Sequence, residues 1–150
     1  MIADLDHFKR INDVFGHAAG DAVLVETARR LRSNLRAIDM VARLGGEEFL
    51  IVMPGTSLSD ARATASRLCE QIGATPFVMP GQASSCPVTV SIGLAIGGLN
   101  TASLNTGGLN ATSGYSQEET ADSLLELADK ALYSAKMKGR NQVTLSRPAA

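Results

Sequence analysis

The sequence lacks an excess of either charge. Its 14 Lys and Arg residues face 15 Asp and Glu residues, which gives a formal net charge of −1 and a pI near 6.1. A protein that follows a nucleic-acid backbone carries a basic surface, so we expect no nucleic-acid polymer as a partner. Cysteine is also scarce, because Cys69 and Cys86 are the only two and lack metal-ligand spacing. This usage favours reduced thiols and a cytoplasmic location.

Long hydrophobic runs are missing as well. No apolar stretch is long enough to span a bilayer, and the N-terminus has neither the charged nor the apolar region of a signal peptide. We therefore expect no membrane contact by this chain. Hydrophobic residues nevertheless make up 45% of the 150 residues, which is enough for one globular domain with a core.

The apolar spacing predicts an α+β fold, with a mainly antiparallel central sheet and helices packed around it. Predicted strands cover 1–6, 40–44, 49–53, 77–79, 88–96 and 141–145. Predicted helices cover 8–15, a segment that begins near Asp21, a segment from the cap Ser57 to 72, and a long segment from a Ser116–Glu119 capping box to Gly139. Asp21 by itself reads as an ordinary helix N-cap.

The segment 97–116 differs from the rest in composition. It is rich in Gly, Ser, Thr and Asn and contains the similar stretches LNTAS, LNTGG and LNATS. Too few copies exist to stack a repeat core, so we interpret the segment as a low-complexity loop insertion without catalytic duty.

Acidic residues stand at the ends of two predicted strands. Asp4 and Asp6 share a face at the end of the first strand, and Glu47 and Glu48 precede the apolar run that follows Gly45 and Gly46. If these strands are adjacent, Asp4 and Glu47 converge into a site for a hard divalent cation such as Mg²⁺. The two glycines would let a bulky anion approach the backbone. A Gly-Gly hairpin with solvated acids explains GGEEF alone almost equally well.

Several blocks of the sequence together resemble the GGDEF family of diguanylate cyclases. The blocks are DLDHFKRINDVFGHAAGD at 4–21, RAID at 36–39, GGEEF at 45–49, SIGLA at 91–95 and ADKALYSAKMKGRNQV at 128–143. They occur in the family's order, over nearly the whole of 1–150. The pattern is most similar to response-regulator cyclases that combine GGEEF with an inhibitory RxxD motif.

This resemblance implies synthesis of cyclic di-GMP from two GTP molecules, on a fold like that of nucleotidyl cyclases and polymerase palm domains. The 3′-hydroxyl of each GTP would attack the α-phosphate of the other across a homodimer. The resemblance also implies two Mg²⁺ ions per active site, with Mn²⁺ as an alternative.

The resemblance carries roles to individual residues. Asp4, Glu47 and the Leu5 carbonyl match the metal ligands, and Glu48 matches a second acid, for which metal or lysine contact is favoured over a dedicated base. The remaining matches concern the substrate. Asn12 and Asp21 match the residues that bind guanine, and Gly45 and Gly46 match the glycines that the triphosphate approaches. The residues that match the triphosphate site are Lys136, Arg140, Lys9 and the backbone after Phe8. His17 matches a family histidine for which we expect a hydrogen bond in the core or in a turn.

Arg36 and Asp39 keep the family's distance from the diglycine and resemble its allosteric product site, with Arg67 as the additional arginine. A guanidinium can bind O6 and N7 of guanine together. The alternative for the first two residues is a surface ion pair. For Lys136 and Arg140 the alternative is a favourable interaction with a helix C-terminus.

The chain departs from the family pattern in lacking the usual portion before the first strand. A fused regulatory domain is therefore expected to be missing, and dimerisation of this piece is left open. Two other functions remain: an inactive GGDEF domain that serves as a receptor for GTP or cyclic di-GMP, and a general α/β interaction domain.

Overall fold

A computed structural model describes residues 1–81, 84–97 and 120–146 of the chain. In chain order the elements are β1 (Ile2–Leu5), α1 (Phe8–Phe15), α2 (His17–Ser33), β2 (Met40–Gly45), β3 (Glu48–Val52), α3 (Leu58–Ala74), β4 (Phe77–Val78), β5 (Ser85–Cys86), β6 (Val90–Ala95), α4 (Ala121–Met137) and β7 (Val143–Ser146). The predicted loop insertion beyond Gly97 and the Ser116–Glu119 capping box lie outside the described residues. The cap of the described helix α4 is Thr120, whose side chain accepts a hydrogen bond from the Ser123 amide.

A five-stranded sheet in the order β2-β3-β1-β6-β7 forms the centre of the domain, and β4 and β5 form a separate pair. Within the large sheet only the β6–β7 pair is parallel, and α4 is the crossover between those two strands. The mainly antiparallel α+β prediction is confirmed. No helix in the described part of the chain is long and apolar enough to cross a membrane.

The two faces of the sheet bury different residues because side chains alternate along each strand. The larger core includes Ala3, Leu5, Phe49 and Ile51 together with residues of α1, α2 and α3. On the other face a smaller cluster joins Ile2 to Ala128 and Leu132 of α4. Helix α4 is therefore fixed against the face that carries the even-numbered residues of β1.

Two local predictions need correction. Helix α2 begins at His17 directly after Gly16 (φ 84°), rather than near Asp21, so Asp21 lies within the helix and is not its cap. The early start lets Ala19 pack into the core. The apolar run at 49–53 predicts a buried strand, yet burial alternates along β3, with Phe49 2% and Val52 38% exposed.

Candidate functional site

The end of β1 brings acids from distant parts of the chain together. In the antiparallel β1–β3 pair, Asp4 lies opposite Glu48, and Ile2 lies opposite Leu50. Opposed residues in such a pair project on the same face, so Asp4 and Glu48 share the face covered by α4. Sequence reasoning paired Asp4 with Glu47, whereas the register places Glu48 directly across from it.

Glu47 lies in the turn between β2 and β3. Gly46 has a φ of 53°, which is a left-handed conformation that glycine adopts without steric cost. Its carbonyl oxygen accepts hydrogen bonds from Nε and Nη2 of Arg43 at 2.9 and 2.7 Å, which closes the turn. The Glu47 carbonyl accepts a hydrogen bond from the Leu5 amide at 3.3 Å. The diglycine tip is thus tied to the end of β1.

Asp4 is a buried carboxyl group in an unusual electrostatic setting. The residue is only 6% exposed, and its Oδ2 lies 2.8 Å from Nζ of Lys136. Burial raises the pKa of Asp4, contact with Lys136 lowers it, and repulsion from Glu47 and Glu48 raises it further, for a net upward direction. Ionisation of Asp4 therefore costs free energy in this environment, and a second cation nearby would reduce that cost.

The donor set suits a hard cation. The carboxylates of Glu47 and Glu48 are each close enough to Asp4 to raise its pKa, and Leu5 is the last residue of the same strand. Within 1–81, 84–97 and 120–146, no three Asp, Glu, His or Cys side chains are placed so that they could hold a metal ion by themselves. Mg²⁺ in phosphate-handling sites is commonly bound by one or two carboxylates, water and substrate phosphates. The residues fit an ion that shares its coordination with a nucleotide.

The predicted guanine-binding residues lie in the α1–α2 helical pair. Asn12 projects from α1 against Gly20 of α2, where an added Cβ would clash with the Asn12 amide. Asp21, the next residue of α2 after Gly20, is exposed. An amide and a carboxylate on this helical pair have the donors and acceptors that one edge of guanine requires. His17 is exposed at the start of α2, which excludes the core alternative and leaves a hydrogen bond in a turn as the prediction.

The predicted phosphate-binding cations lie around the end of α4 and the start of α1. Lys136 is in the last turn of α4, and Arg140 follows in a turn where its φ is 65°. Lys9 is exposed on α1 next to Phe8, which is buried. Among these cations, Lys136 contacts an acid of the site, because its Nζ lies 2.8 Å from Oδ2 of Asp4.

The predicted product site is an ordered turn between α2 and β2. Asp39 is 3% exposed, and its carboxylate accepts hydrogen bonds from the Arg36 amide at 2.9 Å and from Nη2 of Arg36 at 3.0 Å. The Arg36 contacts lower the pKa of Asp39. Arg32 donates to the Asp39 carbonyl at 2.6 Å, and Arg67 of α3 donates to the Asn34 carbonyl at 2.9 Å. The structure thus places Arg67 against the same α2 end as the RxxD turn.

Sequence reasoning assigned no separate role to Asp6, although the structure buries it at 6% exposure. Its carboxylate accepts hydrogen bonds from Thr89 and Ser91, each at 2.7 Å, and from the Asn141 amide at 3.0 Å. The one signal in the sequence was its shared face with Asp4. Its partners are more than eighty residues away, so spacing alone could not reveal them.

Comparison with known proteins gives a consistent result. The family model described as "Diguanylate cyclase, GGDEF domain" matches residues 1–142. The response regulator PleD of Caulobacter vibrioides is 42% identical over 143 residues, which are 95% of this chain and 28% of PleD. Diguanylate cyclase A of Treponema denticola is 40% identical over 98% of this chain and 34% of the relative. The chain therefore spans only about a third of these curated relatives.

Solved structures agree with the sequence comparison. The GGDEF domain of PA1120 from Pseudomonas aeruginosa has a TM-score of 0.78 and 35% identity, covering 97% of this chain and 79% of that one. The GGDEF domain of DgcB from Caulobacter crescentus, solved in complex with c-di-GMP, has a TM-score of 0.80 and 29% identity over 96% and 74% of the two chains. The similarity therefore extends across the fold that positions the acids.

Proposed function

The chain belongs to the GGDEF family of diguanylate cyclase domains, and on that premise we propose that it condenses two GTP molecules into cyclic di-GMP and two pyrophosphates. The observation that carries the proposal is the buried Asp4 carboxylate, opposite Glu48 and 2.8 Å from Lys136. Two neighbouring glutamates raise the pKa of Asp4, which costs stability in the absence of a ligand. Acids held in such an environment are typical of functional sites.

In the proposed reaction each 3′-oxygen forms a bond to the α-phosphorus of the other GTP and gives its proton to solvent. The bond between that phosphorus and the α,β-bridging oxygen breaks, and pyrophosphate leaves with the bridging oxygen. Mg²⁺ held by Asp4, Glu47 and the Leu5 carbonyl, two ions per site by analogy with the family, would supply charge neutralisation and activation of the hydroxyl. Glu48 lies across from Asp4 and contributes a metal or lysine contact.

The cations of this chain bind the triphosphate in the proposal. Lys136 moves its ammonium group from Asp4 to phosphate oxygens, and Lys9 and Arg140 approach from α1 and from the turn after α4. Electrostatic stabilisation by positioned cations is the main contribution that proteins make to phosphoryl transfer. Gly45 and Gly46 leave the approach free of side chains, with the former lying at the end of β2.

Guanine recognition is assigned to Asn12 and Asp21. The Asp21 carboxylate can accept hydrogen bonds from N1–H and the 2-amino group of guanine, and adenine has neither donor. We therefore expect the protein to bind GTP in preference to ATP. His17 is the first residue of α2 and is included in this proposed site.

The experiment is incubation of the protein with GTP and Mg²⁺, followed by chromatography of the nucleotides. We expect cyclic di-GMP from the parent and at least a ~100-fold slower rate for Asp4→Asn or Glu47→Gln, as for loss of a group that stabilises a transition-state charge. Asp129→Asn is the matched control, because Asp129 is exposed on α4. Equal rates in all four proteins would exclude the proposed site.

Turnover requires two loaded domains facing each other, so a homodimer is part of the proposal. We expect low activity from this chain alone and higher activity when a dimerising domain is fused to it. Full activity of a monodisperse monomer at high dilution would contradict the dimer requirement.

Feedback inhibition by cyclic di-GMP is proposed at Arg36, Asp39 and Arg67. The Arg36 side chain is 54% exposed while its partner Asp39 is buried, so the guanidinium is held but accessible. The DgcB domain, whose structure contains c-di-GMP, is consistent with such a site in the family.

The second candidate is an inactive domain that serves as a receptor for GTP or cyclic di-GMP. The ordered RxxD turn is the feature that would favour it. Binding of either nucleotide without product formation, even in a fused dimer, would select the receptor over the cyclase.

A further inference from the structure

The turn that follows α4 has an uncommon backbone. Gly139, Arg140 and Asn141 have φ values of 109°, 65° and 45° in succession. Left-handed conformations are unfavourable for residues other than glycine, and a run of them persists only when surrounding contacts hold it. The Arg140 amide donates to the Ala135 carbonyl at 3.0 Å, which ties the turn to α4 itself.

A second contact ties this turn to β1. The Asn141 amide donates to Oδ2 of Asp6 at 3.0 Å, and Asp6 is the residue that follows β1. The Thr89 hydroxyl donates to the same Oδ2 and the Ser91 hydroxyl donates to Oδ1, each at 2.7 Å. Because Asp6 is buried and its oxygens are bound to protein donors, it has little capacity left for a metal or a nucleotide.

We propose that Asp6 is a positioning residue that sets the direction of Arg140 by holding the Asn141 amide. This inference rests on the proposed function, in which Arg140 binds the triphosphate. Asp4 and Asp6, two residues apart, then have separate roles. Asp4 contacts the Lys136 side chain, and Asp6 accepts a hydrogen bond from the backbone next to Arg140.

Binding measurements can separate positioning from a general effect on folding. The probes are a non-hydrolysable GTP analogue with Mg²⁺, and GMP, which lacks the β- and γ-phosphates that Arg140 would contact. We expect Asp6→Ala to weaken binding of the analogue about tenfold, equivalent to about 1.4 kcal/mol, and to leave GMP binding within about twofold. General disruption of the domain would weaken both ligands equally, and that result would overturn the inference.

A double-mutant cycle tests the link between the two residues. If Asp6 acts through Arg140, then adding Asp6→Ala to Arg140→Ala should weaken analogue binding by no more than about twofold further. Independent, multiplicative losses would contradict the proposal. Thr89→Val is the matched control, because it removes one hydroxyl donor to Asp6 and leaves the Asn141 contact. Its analogue affinity should match the parent.

Two further variants keep the test decisive. Asp6→Asn retains an oxygen for the Asn141 amide and should bind the analogue nearly as well as the parent; a loss as large as that of Asp6→Ala would point to a required charge instead. If Asp6→Ala does not fold, Asp6→Ser replaces it, since its shorter side chain can meet a hydroxyl but does not reach Asn141. Failure of the parent to bind the analogue would count against the proposed function, whereas parental binding with an unaffected Asp6→Ala would count against this inference alone.

Discussion

Gly93 is the point at which β6 and α4 come closest, and replacing it should be costly. A Cβ added at Gly93 would lie 2.8 Å from the Leu132 Cβ and closer still to two backbone atoms, the Ala128 carbonyl oxygen and the Leu132 nitrogen. Carbon atoms in normal contact are about 3.5–4.0 Å apart, so α4 would have to move by roughly 1 Å. Helix backbone cannot move aside as the end of a flexible side chain can.

The expected cost follows from this geometry. Overpacking of a core usually lowers the free energy of unfolding by about 1–3 kcal/mol, and clashes with backbone belong at the upper end. With a urea m-value of about 2 kcal/mol per molar, a loss of about 3 kcal/mol moves the unfolding midpoint of Gly93→Ala down by about 1.5 M. The displaced α4 also carries Lys136 away from Asp4, so binding of the GTP analogue should weaken too.

Gly73→Ala provides the matched control for this measurement. Gly73 is exposed in α3, and its added Cβ would meet only Thr89 Cγ2, at an ordinary 3.9 Å. Alanine is the better helix former, so this variant should gain up to about 1 kcal/mol. A Gly93→Ala protein that loses less than about 1 kcal/mol, or a Gly73→Ala protein that loses as much as Gly93→Ala, would refute the packing argument.

Four other predictions concern the proposed site. Gly20→Ala should displace Asn12 and raise the KM for GTP about tenfold, equivalent to about 1.4 kcal/mol, and an unchanged KM would contradict the assignment. Arg36→Ala should raise the cyclic di-GMP concentration for half-inhibition at least ~10-fold, and inhibition equal to the parent's would end the product-site proposal. The lowered pKa of Asp39 stabilises the fold above its ordinary value of 3.8, so this stabilisation disappears as the pH falls below that value, and Asp39→Asn should flatten the acid limb of stability against pH. The raised pKa of Asp4 has the opposite sign: stability falls as the pH rises above 3.8. Asp4→Asn should therefore be more stable than the parent at pH 7, although its rate of product formation is at least ~100-fold lower.

Local signals in the sequence were sufficient for much of the fold. Ser57 was expected to cap α3, and its side chain accepts a hydrogen bond from the Asp60 amide at 3.2 Å. The diglycine hairpin and the position of Gly139 after α4 follow from the same kind of rule, because turns and caps depend on neighbouring residues. The start of α2 was misplaced because HAAGD has no apolar period, and tertiary packing of Ala19 and Gly20 determines where the helix begins.

The site itself depends on register and crossover, which local patterns do not encode. The family pattern named Asp4, Glu47 and Lys136, but the opposition of Asp4 and Glu48 required the strand pairing. The Lys136–Asp4 contact joins residues at opposite ends of the chain, and it forms because α4 crosses the face that carries Asp4. A one-residue slip of β1 would move Asp4 to the other face and separate the pair.

Asp4 and Asp6, the two acids at the end of β1, differ in how their charge is balanced. This difference explains why Asp4 suits metal binding and Asp6 suits a structural role. Asp6 is bound by two hydroxyls and an amide, all fixed to the fold, so its charge is satisfied without a ligand. Among the residues that the structure describes, the Asp4 carboxylate is paired with one lysine, Lys136, and is repelled by two glutamates. A carboxylate balanced by a movable cation can exchange that cation for a metal at little structural cost, whereas one balanced by fixed donors cannot. Within three residues, the end of β1 thus combines Asp6, whose partners are fixed, with Asp4, whose lysine partner can be exchanged for a metal ion.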